Sequence, residues 1–112
     1  MTVYITQEVR GRDLSDALSF GDLEVLIPAK DQIALSAAPT VRRMLRKLSR
    51  FNDSDFLVLS GDPACIGIAC ALAASANNGK FKVLKWDRLD GMYYPIQISL
   101  FGKEVESGSV SS

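Results

Sequence analysis

The chain contains no histidine. That absence removes Ser-His-Asp and Cys-His nucleophilic chemistry, imidazole metal ligands and the usual proton shuttle of neutral pH. Cysteine is scarce too. Cys65 and Cys70 lie five apart in a segment that reads as helix, where helical geometry sets their Cα atoms roughly 8 to 9 Å apart on different faces, beyond the reach of a disulfide. With no CxxC spacing they read as two small buried side chains, and reduced thiols fit a cytoplasmic setting. Long apolar runs are missing: the longest, Ala64 to Ala74, has 11 residues including one glycine, against the roughly 20 that cross a bilayer. No membrane partner is expected. The opening MTVYITQEVRGRD has no basic stretch leading into an apolar core, so no secretion signal is expected from it. An excess of one charge is also lacking: thirteen basic and thirteen acidic residues cancel, and any electrostatic function must be local.

Apolar residues, by contrast, make up 47% of the 112 positions. That is enough for one core without a metal or a disulfide, and folding a chain of this size removes about two-thirds of its accessible area. A single domain over residues 1–101 is expected, followed by a flexible tail at 102–112, a stretch rich in Ser, Gly and charge.

The order of elements follows from local chemistry. Val3-Tyr4-Ile5-Thr6 is β-branched and aromatic and reads as a first strand. Asp13 caps a short helix over Leu14 to Phe20 that Gly21 ends, and Leu23 to Ile27 is a second strand stopped by Pro28. Ile33-Ala34-Leu35 reads as a short extended piece. From Thr40 the period becomes 3.6, giving a helix to Phe51, and Phe56 to Leu59 is a continuous apolar run suited to a central parallel strand. Asp62 as N-cap and Pro63 at the first helical position start a helix that runs to Ala76 and ends in Asn77-Asn78-Gly79. Phe81 to Trp86 and Tyr93 to Phe101 then form a hairpin, with Pro95 making the last strand an edge. Alternation of this kind predicts an α/β fold: a single-domain three-layer sandwich around a mostly parallel sheet of about five strands, with an antiparallel C-terminal edge hairpin.

The strongest chemical feature is the helix after Thr40. Val41, Met44, Leu45, Leu48 and Phe51 share one side of the wheel, and Arg42, Arg43, Arg46, Lys47 and Arg50 share the other, with no intervening acid. Such a face attracts phosphates or carboxylates, and it is equally the pattern of a solvated helix whose heads pair with acids elsewhere. The aromatic residues do not interleave with these cations, so the stacking pattern of single-strand binders is absent.

Four further candidates stand beside it. Ser60, Gly61 and Asp62 form a strand-to-helix turn at the end of the sheet where ligands gather, together with Thr6, Gln7, Lys30 and Asp87 on the same rim. Asp62 would repel a phosphate, however, and neither GxGxxG nor GxxxxGK[ST] is present. The helix from Pro63 is apolar all round, which predicts cover by a neighbouring element or by a second copy docking through Ile66, Gly67, Cys70 and Ala74. Asp53 and Asp55 read as loop and cap residues, and Trp86, Tyr93 and Tyr94 as cross-strand aromatic pairing or an exposed platform.

The stretches Gly61-Asp62-Pro63-Ala64-Cys65-Ile66-Gly67-Ile68-Ala69, Asn78-Gly79-Lys80, Val83-Leu84-Lys85-Trp86-Asp87-Arg88 and Tyr94-Pro95-Ile96 resemble a group of short uncharacterised proteins encoded by tailed bacteriophages, a likeness that includes Pro39-Thr40-Val41-Arg42-Arg43. The resemblance implies a phage origin and the bacterial cytoplasm, and it carries over no activity, cofactor or catalytic residue. The expectation is therefore a nonenzymatic, cofactor-free binding protein, homodimeric, that engages a host or phage macromolecule through the basic helix. A host or phage protein leads as partner. Direct binding of DNA or RNA comes second, and a nucleotide or small metabolite held at the Ser60 to Pro63 turn comes third.

Overall fold

A computed structural model describes residues 1–33 and 35–101. The chain runs β1 (Thr2–Ile5), a 3-10 helix (Ser15–Phe20), β2 (Asp22–Val25), α1 (Ala38–Leu48), β3 (Phe56–Val58), α2 (Pro63–Ala76), β4 (Lys80–Asp87) and β5 (Met92–Ser99). The five strands form one sheet in the order β2-β1-β3-β4-β5. The first four are parallel, with Thr2 opposite Asp22, Val3 opposite Phe56 and Leu57 opposite Val83, and β5 returns antiparallel along β4 with Trp86 opposite Tyr93. The fold is therefore the mostly parallel α/β sheet with an antiparallel edge that the alternation predicts.

Strand alternation divides the core in two. Tyr4, Leu57 and Val83 turn to the face that α1 and α2 cover, where they meet Met44, Leu48, Cys65, Ala69 and Ala73. Val3, Ile5, Phe56, Val58 and Leu84 turn to the opposite face, where Ala17 of the 3-10 helix and Tyr93 meet them. The sandwich is thus unequal: two full helices form one outer layer, and six residues of 3-10 helix begin the other.

Several boundaries shift for identifiable reasons. α1 starts at Ala38 with Pro39 in its first turn, earlier than the hydrophobic period shows, because proline is tolerated where the amide has no intrahelical partner. Phe51 lies past the end of α1 yet is buried, its ring 6.0 Å from that of Tyr4. Ile33 and Leu35 form no strand: Ile33 leans on the helix-side core and Leu35 is fully exposed, while Ala34 is outside the described residues. The expected tail at 102–112 also lies outside them. By contrast, α2 spans Pro63–Ala76 as its caps dictate. The Asp62 carboxylate accepts from the Ala64 amide at 2.8 Å, and the Gly79 amide donates to Ala74 O at 2.7 Å.

Candidate functional site

α1 buries Met44 and Leu48 and presents its cations outward, but they are not equivalent. Arg43 pairs with Asp31, Nη1 to Oδ2, at 3.2 Å. Lys47 reaches Glu24 of β2 at 3.4 Å and donates to the Val25 carbonyl at 3.0 Å. Both are fastened to the β2 side of the molecule. Arg42, Arg46 and Arg50 are exposed and have no ion pair among the described residues. Leu45, 49% exposed, stands three residues after Arg42 and one before Arg46, so the three share one stripe of the helix. The basic face therefore resolves into a tethered edge and a free edge with an apolar residue set in it. Periodicity could not show this, because Glu24 and Asp31 approach α1 only through the β2 crossover.

The strand order reverses its direction of winding at β1, which makes the carboxyl ends of β1 and β3 the switch point where open α/β sheets commonly hold a ligand. Here the chain's own side chains fill it. Thr6 Oγ1 donates to Ser60 O at 2.5 Å and accepts from the Ser60 amide at 2.8 Å, while Ser60 Oγ donates to Gln7 O at 2.6 Å. Gln7 Oε1 accepts from the Asp62 amide at 2.7 Å, and its Nε2 donates to Pro28 O at 3.0 Å and Asp31 O at 2.7 Å. Thr6, Gln7 and Ser60 are all buried. Gly61 between them has φ +89°, and a Cβ there would stand 2.4 Å from Gln7 Cβ. The turn residues Ser60, Gly61 and Asp62 are thus brought together with Thr6 and Gln7 as expected, with the amides of Ser60 and Asp62 engaged inside the protein. Lys30 is exposed nearby, and Asp87 is spent on the hairpin turn, accepting from the Leu89 amide at 2.9 Å.

A family model described as phage Pam3 gp32-like protein matches residues 1–100. The chain belongs to that phage family. Nothing among the curated proteins or the solved structures matches it. Membership accounts for the resemblance carried by the Gly61 to Ala69 and Val83 to Arg88 stretches, and it names no ligand or partner.

The remaining candidates separate by burial. On α2, Ile66 and Cys70 are half-buried and Gly67 is exposed, whereas Ala74 is 5% exposed and belongs to the inner side. The outward stripe, Ala64, Gly67, Ala71 and Ser75, carries only small side chains, which is how a helix apolar all round leaves little apolar area in water. Burial pushes the thiols of Cys65 and Cys70 up from their ordinary 9.0, with the Asp62 and Asp31 charges adding to the effect at Cys65. Asp55 is buried and accepts from the Thr2 amide at 3.0 Å and the Asn52 amide at 3.1 Å, while Asp53 accepts from Asn77 Nδ2 at 2.8 Å. The two aspartates therefore do structural work at the amino ends of the strands. Trp86 and Tyr93 pair edge to face across the hairpin with centroids 5.0 Å apart, and Tyr94 points to the other face of the sheet, opposite Lys85.

Sequence reasoning missed Arg12 and Lys85, which border the opening between β3 and β4 from opposite faces of the sheet. Neither belongs to a motif or a charge run. Nothing local marks them.

Proposed function

We propose that this phage protein is a nonenzymatic adaptor that docks on an acidic protein surface of host or phage through the free edge of α1. The observation that carries this reading is the stripe Arg42, Leu45 and Arg46, with Arg50 just past the end of α1: guanidinium groups with no ion pair among the described residues, around an exposed leucine. Arginine and an apolar anchor on a rigid helix are the composition of interface centres, whereas a stripe meant for duplex phosphate gains nothing from a leucine among its cations. Net charge of zero supports the same choice, since nonspecific nucleic-acid affinity rests on neutralising many phosphates. The nonenzymatic half is supported by the switch point, where Thr6, Gln7 and Ser60 occupy the position a substrate would take.

The test compares the native chain with R42A/R46A/R50A, both immobilised and exposed to extract of phage-infected cells, alongside titrations with labelled DNA and RNA at low salt. A host or phage protein retained by the native chain and lost by the variant, with no nucleic-acid binding, is the expected result. Equal retention by both chains sinks the proposal. Nucleic-acid binding that falls steeply with salt and loses slope in the variant would put the second reading in its place.

We propose in addition a homodimer through the outer side of α2. Small residues at Ala64, Gly67 and Ala71 permit close helix approach there. Sedimentation showing a monomer at micromolar concentration removes this proposal without touching the first.

A further inference from the structure

The 3-10 helix presents three unlike stripes, because residues three apart eclipse one another in that geometry. Ala17 and Phe20, with Leu14 before them, form the inner stripe and pack with Val3, Ile5 and Phe56. Phe20 meets Phe56 edge to face, with centroids 5.4 Å apart. Leu18 stands on an outer stripe, 56% exposed. Asp16 and Ser19 share the third stripe, and with Phe20, Gly91 and Tyr93 they border a hollow of about 350 Å³ between the helix and the start of β5. Tyr93 stands on the same face of the sheet as Phe56 and Leu84, so the helix and the phenol meet on one side. The volume lies within the range of small-molecule sites.

Tyr93 is 5% exposed, yet its hydroxyl has no hydrogen-bond partner among the described residues. Ser99 Oγ is the one wholly enclosed polar side-chain atom left unpaired among them, so the Tyr93 oxygen is not sealed in and opens on the hollow space that the residue lines. A buried phenol of this kind usually finds a partner. Asp16 is the only charged residue bordering the hollow among the described residues, and its carboxylate has no ion pair there. Ser19 Oγ spends its hydrogen on Asp16 O at 3.2 Å, which leaves its lone pairs to accept. The cations of this face lie outside. Lys82 sets Nζ 4.3 Å from the centre of the Phe56 ring, and Arg12 borders a separate hollow of about 230 Å³, with Asp13 and Trp86, that has only Tyr93 in common with this one.

We propose that this hollow binds a primary arylalkylammonium ion, its ammonium at the Asp16 carboxylate and its apolar body against the rings of Phe20 and Tyr93, with Ser19 Oγ and Tyr93 Oη as further acceptors. An ammonium brings three donors and no acceptor, and the polar side chains at this border offer a carboxylate and two hydroxyl oxygens. The bond to the carboxylate is charge-assisted, and the electron-rich ring faces add attraction for the same cation. A divalent metal ion fits poorly, because hard cations gather several oxygen ligands and no group of three acid, cysteine or histidine ligands occurs among the described residues. An anion is repelled by Asp16.

The test follows backbone amide chemical shifts of the nitrogen-15-labelled native chain during titration with 2-phenylethylamine, which is protonated at neutral pH, and with 2-phenylethanol, which differs only at the polar end. The ammonium is expected to shift the amides of Ser15–Phe20 and Gly91–Tyr93 saturably and to bind about tenfold more tightly than the alcohol. In D16N its affinity should fall to the level of the alcohol, and in Y93F, which keeps the ring, it should fall about threefold. Asp16 is exposed and the Tyr93 hydroxyl has no partner among the described residues, so neither substitution removes a contact seen in the fold, which circular dichroism checks. The R42A/R46A/R50A chain should bind the ammonium as the native chain does, so that failure here and failure of α1 docking are told apart. The proposal is overturned by the absence of saturable shifts up to about 50 mM ammonium, by shifts centred away from these two segments, by equal affinity for ammonium and alcohol, or by undiminished binding in D16N or Y93F.

Discussion

Gln7 and Asp62 are joined across the carboxyl end of the sheet by a hydrogen bond of 2.7 Å, side-chain Oε1 accepting from backbone N–H. The same amide group of Gln7 donates to two carbonyls of the loop after β2, so one buried side chain fastens β1, the β2 loop and the start of α2. Gln7→Ala leaves one donor and two acceptors without their partner. It is expected to lower stability by about 2–4 kcal/mol, given about 1–3 kcal/mol for each unsatisfied buried group and partial rescue by entering water. Urea denaturation measures it, and a loss below about 1 kcal/mol would show that the network is dispensable.

Gly61 and Gly67 make a contrasting pair. Gly61→Ala forces a left-handed backbone on alanine and drives its Cβ into Gln7, with an expected loss of at least about 2 kcal/mol. Gly67 lies inside α2 with open space around the position of a Cβ, so Gly67→Ala is expected to stabilise by about 0.5–1 kcal/mol. The two variants are compared by denaturant midpoint. A similar shift for both would contradict the close approach of Gln7 to the turn.

The cations of α1 are expected to divide by tethering. Lys47→Ala removes a partly exposed ion pair and a hydrogen bond to Val25 O, and should cost about 0.5–1 kcal/mol. Arg42→Ala and Arg46→Ala should stay within about 0.5 kcal/mol of the native chain, because these side chains have no ion pair among the described residues. Thermal denaturation in low and high salt checks both, and salt should weaken only the Lys47 contribution.

Alkaline pH should destabilise the fold. Burial holds the Cys65 and Cys70 thiols above their ordinary 9.0, and burial, followed by the Asp55 and Glu24 charges, holds the Tyr4 phenol above 10.0. Folding favours the protonated form of each, so this stability is fully present below the unfolded-chain values and is lost as pH rises through the higher folded values. Denaturant midpoints should fall steadily from about pH 9 upward, with the fall above about pH 10 reduced in Tyr4→Phe. Constant midpoints across that range would contradict it.

Local chemistry alone determined the elements and their order. The Asp62-Pro63 start and Asn78-Gly79 end delimit α2 because caps act within one turn, and the wheel of α1 separates Met44 and Leu48 from the cations because helical period is a property of neighbours. Which cations remain free was a different matter. Arg43 and Lys47 are neutralised by Asp31 and Glu24, residues that come near only when β2 pairs with β1, and Coulomb attraction depends on distance in space and not along the chain. The same holds for Gln7, an ordinary polar residue in the sequence that becomes the fastening of three segments, and for Asp16 and Tyr93, which border one hollow only because the 3-10 helix packs beside the start of β5. Short-range stereochemistry is written residue by residue, whereas the pairing of charges and the shape of a hollow exist only once distant segments have packed.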